Sequence, residues 1–291
     1  MGSDGATGLT RISRVLVIGA GAMGSGIAQV IAESGVDVTL SDVDAPSLER
    51  GLAGIAARWD KAVANGKREA ETVSGYRSHL QSGDLSAARE ADLVIEAIVE
   101  RLPAKSALFT DLGQLAPAEA ILASNTSSIS VTALATASGR PERFVGLHFF
   151  NPVPVLPLVE IVRGLQTSPE TVAMAEQFVT RLGKTPVIVQ DSPGFVANRI
   201  LLPMINEAVF TLQDGVADAA GIDAVMKLGA AHPMGPLALA DLIGLDVCLD
   251  ILDTLHRDFG DDKYRAAPLL RRMVAAGRLG RKSGQGFHVY A

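Results

Sequence analysis

The sequence contains little cysteine, few aromatic residues and no long apolar run, and each shortage excludes a class of protein. The single cysteine, Cys248, rules out a disulfide framework within the chain and lies in an apolar helical pattern typical of a small core residue. Aromatic residues make up 4% of the chain against 48% hydrophobic residues, which predicts an interior of aliphatic side chains and alanine. No apolar stretch approaches the roughly 18 residues of a membrane span. We therefore expect a soluble protein of a reducing compartment, the cytoplasm.

The N-terminus has neither the basic block nor the apolar block of a secretory signal. It reads M-G-S-D-G-A-T-G-L-T, and residues 1–11 are expected to form a disordered tail. The 291-residue chain is long enough for two domains. Its net charge of −6 argues against nucleic acid as the main partner, although a local basic pocket for phosphates remains compatible with it.

A glycine-rich turn follows the first apolar segment. Residues 14–18 (R-V-L-V-I) predict a strand buried on both faces, and G-A-G-A-M-G at 19–24 leads from it into a helix. Asp42 ends the next strand, 18 residues after the last of these glycines. This arrangement is typical of a dinucleotide site: the glycines admit a pyrophosphate, the helix N-terminus favours its charge, and the acid accepts from ribose hydroxyls. Because Asp42 repels a 2′-phosphate and has no adjacent arginine, NAD is favoured over NADP; the alternative is a glycine turn without a ligand.

Residues 45–82 are more than a simple crossover between strands requires. Two helical patterns, 45–65 and 69–81, flank Asn65-Gly66 and predict a projecting helical hairpin. Basic residues near its turn are either a solvated face or a grip on a phosphorylated substrate. These residues are Arg58, Lys61, Lys67 and Arg68.

Polar side chains follow two further predicted strands. The strand pattern at 91–99 ends before Glu100, and the one at 120–124 runs into Asn125-Thr126-Ser127-Ser128. Open α/β sheets bind ligands just past the carboxyl ends of their parallel strands. Ser128 is expected to cap a helix that begins near residue 129, which leaves Ser127 to face a substrate.

The stretch from His148 to Glu160 is apolar except at His148, Asn151 and Glu160. Short strands predicted at 145–147 and 158–162 are separated by three prolines, so the chain can turn and bring its two ends together. An imidazole against a carboxylate among apolar walls is the minimum for general base catalysis, because the carboxylate fixes the ring and stabilises its protonated form. The alternative is a core histidine bonded to a backbone carbonyl; the other motifs favour the catalytic interpretation.

The pattern changes at Asp191-Ser192-Pro193-Gly194 from alternating strands and helices to helices alone. This turn cluster predicts two domains, 12–191 and 192–291, and a second domain with helices near 195–213, 222–228, 236–257 and 265–276. The fold class is therefore α/β: a Rossmann-type dinucleotide-binding domain with an inserted helical hairpin, followed by an all-helical C-terminal domain.

Asn198 lies on the apolar face of a predicted helix, in line with Leu202, Ile205 and Val209, so its amide must find a polar partner.

Seven motifs, spread over residues 12–290, resemble one known family. They are G-A-G-A-M-G-S-G-I-A at 19–28, E-A-I-V-E at 96–100, A-S-N-T-S-S at 123–128, G-L-H-F-F-N-P-V-P at 146–154, P-G-F-V-A-N-R at 193–199, P-M-G-P at 233–236 and G-R-K-S-G-Q-G-F at 280–287. With them the chain resembles the short-chain L-3-hydroxyacyl-CoA dehydrogenases, including the bacterial 3-hydroxybutyryl-CoA dehydrogenases. The resemblance implies an NAD-dependent enzyme that forms homodimers through its helical domain.

The resemblance also implies roles for individual residues. His148 would be the base, Glu160 its partner, and Ser127 and Asn198 the polar contacts at the reacting oxygen. The family grips CoA partly through a Ser and a Lys on the hairpin; the matching positions here are Arg58 and Asn65, with Lys61 and Lys67 nearby, so the CoA grip is expected at Arg58, Lys61 and Lys67. No metal is implied. The positions that match contacts or borders of NAD are Gly19, Gly21, Ala22, Met23, Gly24, Asp42, Glu100, Lys105, Ser127, Asn151 and Lys282.

The expected reaction is the NAD-dependent interconversion of (S)-3-hydroxyacyl-CoA and 3-oxoacyl-CoA, with 3-hydroxybutyryl-CoA and acetoacetyl-CoA as the pair. Two alternatives stay open. The same hydride chemistry could act on an acyl-carrier-protein thioester or a sugar acid, although Asn125-Thr126-Ser127-Ser128 resembles the acyl-CoA type. A protein of another class would bind NAD without catalysis, as a structural or regulatory component, and the complete set of polar site residues argues against it. The expected partners are an acyl-CoA substrate and a second copy of the chain, with no nucleic acid and no membrane.

Overall fold

The computed structural model describes residues 12–290, and the chain divides into two compact units, one ending at Asp191 and the other beginning at Ser192. The predicted tail, residues 1–11, lies outside the described residues. The division falls within the predicted turn cluster 191–194. Within residues 12–290, no helix is long and apolar enough to cross a membrane.

One eight-stranded sheet forms the centre of the first unit. Its spatial order is β3-β2-β1-β4-β5-β6-β7-β8, and every neighbouring pair is parallel except β6 and β7, which are antiparallel. The chain therefore builds outward in one direction to β3 and then crosses to the other side of β1. The strands are β1 (Arg14–Ile18), β2 (Asp37–Ser41), β3 (Leu80–Ser82), β4 (Leu93–Glu96), β5 (Ile121–Ser124), β6 (Phe144–Phe149), β7 (Leu158–Arg163) and β8 (Thr185–Gln190).

Helices cover the sheet and bury its central strands. Strands β4, β5 and β6 are buried at every position, as their continuous apolar sequences predict for strands covered on both faces. The core is aliphatic, as the composition predicts, with a few aromatic residues such as Trp59 and Phe149. The helices of this unit are α1 (Ala22–Glu33), α2 (Ala45–Ala64), α3 (Ala70–Ser78), α4 (Leu102–Leu115), α5 (Val131–Ala137) and α6 (Pro169–Arg181).

The predicted helical hairpin is confirmed as α2 and α3. Trp59 on α2 anchors it, because the indole Nε1 donates to Glu33 of α1 over 2.8 Å and the ring is buried. The prediction that the second helix reaches residue 81 is wrong: α3 ends at Ser78, and Leu80–Ser82 is an edge strand parallel to β2. Pairing with β2 is a non-local contact, which helical periodicity within 69–81 does not reveal.

The second unit is helical, as predicted. The single helix predicted at 236–257 is wrong, because Gly244 has a φ of +106° and divides it into two helices. An α-helix requires negative φ, and glycine is the residue that adopts this conformation without a steric penalty. Its helices are α7 (Ala197–Gln213), α8 (Ala219–Gly229), α9 (Pro236–Ile243), α10 (Leu245–Phe259) and α11 (Pro268–Ala275).

Candidate active site

Four features of the candidate site in the first unit lie at the carboxyl ends of neighbouring strands. The glycine turn follows β1, Glu96 ends β4, Asn125 follows β5, and His148 is the last residue but one of β6. The order of strands reverses between β1 and β4, which is the topological switch point at which open α/β sheets bind ligands. The sheet therefore brings together polar groups that are far apart in sequence.

His148 and Glu160 form a buried pair across β6 and β7. The antiparallel register places the two residues opposite each other, and His148 Nδ1 lies 2.7 Å from Glu160 Oε2. Their exposed fractions are 6% and 2%, so the predicted contact is confirmed inside the protein. A carboxylate only accepts hydrogen bonds, so Nδ1 carries the proton of this bond, and in the corresponding neutral tautomer Nε2 is the basic nitrogen. That arrangement suits a general base.

The glycine turn after β1 has the shape that a pyrophosphate requires. Gly19 has a φ of +102°, and a Cβ there would lie 2.4 Å from the carbonyl oxygen of Ala97. A Cβ on Gly24 would lie 1.7 Å from the Gly19 oxygen, so α1 and the turn touch backbone to backbone. At Gly21, by contrast, a Cβ would meet nothing within 4 Å, which leaves room for a ligand.

The first turn of α1 is suited to a bound anion. Its residues include the exposed Ala22 and the half-buried Met23, and it contains no acidic side chain. No side-chain hydrogen bond caps its N-terminus at Gly21. Backbone N–H groups at a helix start favour negative charge, so the residues present fit the pyrophosphate of a dinucleotide.

Asp42 has a structural role in addition to the predicted ribose contact. Its Oδ2 accepts from Ala20 N over 2.7 Å, and its Oδ1 accepts from Asp44 N over 2.9 Å. Each carboxylate oxygen has two lone pairs, so both oxygens keep the capacity to accept from ribose hydroxyls. The same carboxylate thus fixes the glycine turn.

Glu100 binds the polar loop that follows β5. Its Oε1 accepts from Thr126 Oγ1 over 2.6 Å, from Ser127 N over 2.8 Å and from Ser128 N over 3.1 Å. The Ser127 hydroxyl lies 3.3 Å from the same oxygen. Burial by itself raises the pKa of Glu100, but the charge of Lys105 and the hydrogen bonds from Thr126 and Ser127 outweigh it and hold that pKa below its ordinary value.

The helix cap predicted at Ser128 is wrong. Helix α5 begins at Val131, and Ser130 is its N-cap, with Oγ accepting from Ala133 N over 3.2 Å. Asp191 supports the same helix end, since its carboxylate accepts from Ser130 Oγ and from the backbone N–H groups of Val131 and Thr132. Ser128 instead donates its backbone N–H to Glu100, and so belongs to the loop.

Lys105 lies inside the protein rather than on its surface. It is 1% exposed, and its Nζ lies 2.6 Å from Glu96 Oε1 and 3.0 Å from Glu100 Oε2. Glu96 is 0% exposed and was not among the predicted site residues. A signal for it exists in the sequence, because an acid at the end of the buried pattern A-D-L-V-I must find a partner.

The segment between His148 and Glu160 is tied to its surroundings at both ends. Phe149 N donates to Asn125 Oδ1 over 2.9 Å, which joins the end of β6 to the loop after β5.

Val153 is buried and packs against α1 at Gly26, which has no side chain. A Cβ on Gly26 would lie 2.9 Å from Val153 Cβ. Lys184 Nζ donates to the carbonyls of Val153 and Leu156 over 2.6 and 2.8 Å. Asn151 begins this segment and is exposed.

Two predicted site residues belong to the second unit. Asn198 is 9% exposed and lies on the buried face of α7 together with Leu202, Ile205 and Val209, as its spacing predicts. Lys282 Nζ lies 2.6 Å from the carboxylate of Asp246. Burial raises the pKa of Asp246, but hydrogen bonding and charge from Lys282 outweigh this and lower it.

The hairpin divides its basic residues between two environments. Arg58 Nε donates to Gln29 Oε1 of α1, so its guanidinium is already bound within the first unit. Burial lowers the pKa of Arg58, and the nearby charge of Glu33 raises it in part. Lys61 and Lys67 are exposed, and neither forms an ion pair with any residue of the described chain.

Comparison with known proteins identifies the same family along both units. The family model described as "3-hydroxyacyl-CoA dehydrogenase, NAD binding domain" matches residues 14–192, and that of the "3-hydroxyacyl-CoA dehydrogenase, C-terminal domain" matches residues 194–290. A "Probable 3-hydroxybutyryl-CoA dehydrogenase" of Deinococcus radiodurans is 56% identical over 94% of this chain and 99% of its own. The "3-hydroxybutyryl-CoA dehydrogenase" of Bradyrhizobium diazoefficiens is 50% identical over 96% of each chain. The crystal structure of (S)-3-hydroxybutyryl-CoA dehydrogenase from Ralstonia eutropha is 46% identical and superposes with a TM-score of 0.93, covering 96% of this chain and 99% of that one.

Proposed function

Because the chain belongs to the 3-hydroxyacyl-CoA dehydrogenase family and uses NAD, we propose that it interconverts (S)-3-hydroxybutyryl-CoA and acetoacetyl-CoA. The observation that carries this proposal is the buried pair of His148 and Glu160, 2.7 Å apart at the carboxyl edge of the dinucleotide-binding sheet. Relatives that share about half of the sequence have names that specify the four-carbon substrate. They support the acyl-CoA substrate over an acyl-carrier-protein thioester or a sugar acid.

The turn after β1, the N-terminus of α1 and Asp42 would hold the NAD. Glu100 and Asn151 are proposed to border it in the first unit, and Lys282 in the second. When bound, NAD supplies the acceptor for the hydride that leaves C3 of the hydroxyacyl group. Lys105 is also proposed to lie next to the NAD site. Because its ammonium group is buried and binds Glu96 and Glu100, we propose that it acts by holding Glu100 in place.

His148 is proposed as the general base. In the oxidation direction, its Nε2 removes the proton of the C3 hydroxyl while the hydride leaves that carbon; in the reduction, the protonated ring returns the proton to the oxygen. Glu160 holds Nδ1 and stabilises the positive ring. A positioned acid or base of this kind contributes typically 10²–10⁴-fold to the rate. Ser127 and Asn198 are proposed as the polar contacts of the reacting oxygen.

One assay tests this function. The purified enzyme should oxidise NADH when acetoacetyl-CoA is added, and the product should be the (S)-alcohol. The His148→Gln variant should bind NADH as the parent does and lose nearly all turnover. An enzyme that binds NADH yet turns over neither acetoacetyl-CoA nor its acyl-carrier-protein analogue would support the non-catalytic alternative and overturn the proposal.

We propose that the hairpin grips the CoA nucleotide mainly through Lys61 and Lys67. Both ammonium groups are exposed on α2 or just beyond it, so they are available to phosphates. Arg58 was expected to share this role, but its bond to Gln29 favours a structural one in the absence of substrate. Because the chain has a net charge of −6, electrostatic attraction of the CoA phosphates must come from local basic groups such as these.

A homodimer formed through the second unit is also part of the proposal. A cavity of about 420 Å³ on that unit is lined mainly by apolar side chains, among them Met204, Ala208 and Val225. Val216 and Val225, which also line this cavity, are 73% and 66% exposed. An exposed apolar surface of this kind is typical of a protein–protein interface. Light scattering at micromolar concentration should give twice the mass of the 30.3 kDa chain, and a monomer would contradict the proposal.

The single cysteine, Cys248, is free and buried, which supports the cytoplasm as the location.

A further inference from the structure

The carboxylate of Glu96 is fully buried beneath the loop that carries Ser127, and nothing in the proposed reaction uses it. This carboxylate accepts three short hydrogen bonds. Oε1 accepts from Ile98 N over 2.7 Å and from Lys105 Nζ over 2.6 Å, and Oε2 accepts from Ser124 Oγ over 2.6 Å. An ionised carboxylate without these partners would be very costly at 0% exposure. Its retention inside the sheet therefore calls for an explanation.

The hydrogen bonds of Glu96 form one closed ring with those of the Ser127 loop. On one side, Ser124 Oγ donates to Glu96 and accepts from Thr126 N over 3.2 Å. On the other side, Lys105 joins Glu96 to Glu100. Glu100 then closes the ring by accepting from Thr126 Oγ1.

The ring fixes the backbone on both sides of Ser127. Thr126 is 0% exposed, and its Oγ1 accepts from Ile129 N over 2.9 Å, while Glu100 binds the N–H groups of Ser127 and Ser128. The Glu100 side chain is itself 35% exposed, and the buried Lys105 ammonium, 3.0 Å from its Oε2, ties it to the interior. Within residues 12–290, the fully buried ion-pair partner of Lys105 is Glu96.

We propose that Glu96 is a positioning residue for the reaction: through Lys105 and Glu100, and through Ser124, it fixes the loop so that the Ser127 hydroxyl meets the reacting oxygen. This inference rests on the proposed function of Ser127. It adds to that function a fully buried charge on which the position of Ser127 depends. A displacement of about 1 Å at a reacting group can reduce the rate roughly 10²-fold.

A double-mutant cycle tests the route. Glu96→Gln keeps the size of the side chain and removes its charge, so kcat for acetoacetyl-CoA should fall about 10- to 100-fold. In a Ser127→Ala background, the same change should cost less than about threefold, because the hydroxyl that it positions is already absent. Equal factors in the two backgrounds would overturn the proposal.

Amide hydrogen exchange tests the positioning without relying on activity. In Glu96→Gln, exchange of the Ser127 and Ser128 amides should accelerate, in the full-length chain with and without saturating NADH. Thr167→Val removes another buried hydroxyl of the same unit, which donates to Phe144 O, and should lower Tm without changing exchange at 125–130. Unchanged exchange at Ser127 and Ser128 in Glu96→Gln would refute the proposal.

Ser124→Ala is the second variant, for use where Glu96→Gln does not fold. It removes the bond to Glu96 and the bond from Thr126 N and leaves every charge in place, so it should show the same two effects at smaller size. If its exchange and its kcat both match the parent, the ring does not position Ser127. A parent enzyme inactive on acetoacetyl-CoA would count against the proposed function alone, because the exchange experiment still reports on the loop.

Discussion

Glu160 faces His148 across the antiparallel pair β6 and β7, and its Oε2 lies 2.7 Å from the imidazole Nδ1. The pairing follows from strand register and not from a turn between the two residues. Moving either strand by one residue would turn its side chain to the other face of the sheet. The ladder of β6 and β7 therefore sets the geometry of the proposed base.

The first prediction concerns this pair. Glu160→Gln keeps the shape of the side chain but removes the charge that stabilises the protonated ring and selects its tautomer. We expect kcat for acetoacetyl-CoA to fall by roughly 10²–10⁴-fold, with the Kd for NADH nearly unchanged by calorimetry. Glu176→Gln, an exposed carboxylate on α6, is the matched control and should keep the parent's kcat. A Glu160→Gln enzyme as fast as the parent would show that Glu160 does not assist His148.

The second prediction concerns Asp42 and the choice of cofactor. NADH should exceed NADPH by at least about tenfold in kcat/KM, equivalent to about 1.4 kcal/mol, because the carboxylate repels a 2′-phosphate. Asp42→Asn should narrow this ratio, and should also weaken NADH binding because Ala20 N and Asp44 N bond to the same group. Equal efficiency of the parent with both cofactors would contradict the proposed ribose contact.

The third prediction separates the basic residues of the hairpin. Replacing Lys61 and Lys67 together by Ala should raise the KM for acetoacetyl-CoA and leave the KM for a short pantetheine thioester, which lacks the nucleotide, unchanged. Arg58→Ala should instead lower Tm, because the bond to Gln29 is lost. Arg89→Ala with Arg278→Ala removes the same charge from exposed positions elsewhere and serves as the control. If the lysine variant raises both KM values alike, the hairpin does not grip the nucleotide.

The fourth prediction uses Cys248 as a probe of the second unit. Burial raises the pKa of this thiol to about 12, and the charges of Asp246 and Asp241 add to the effect. Only the thiolate reacts readily, so an alkylating reagent at about pH 8 should modify the native protein very slowly. The modification rate should rise with urea in parallel with unfolding. Rapid reaction of the native thiol would mean that the core around α10 is open to solvent.

The sequence by itself determined the parts of the site that local patterns encode. The glycine turn at 19–24 with Asp42, the apolar strands ended by polar residues, and Asn198 on the apolar line of its helix all follow from spacing and residue type. The α/β class and the helical second part of the chain follow in the same way. Each of these features depends on residues within a single strand or helix or within one strand–helix–strand unit.

Only the tertiary structure decided the contacts that join distant segments. The pairing of Leu80–Ser82 with β2, the division of the predicted helix at Gly244, the bond between Arg58 and Gln29, and the capping by Ser130 with Asp191 all depend on neighbours that local periodicity does not specify. The ring through Glu96, Lys105 and Glu100 is of the same kind, since it joins the end of β4 to α4 and to the loop after β5. Buried polar groups must find partners wherever the fold supplies them, so the sequence shows that Glu96 needs a partner, and the packing of the sheet determines which one it has.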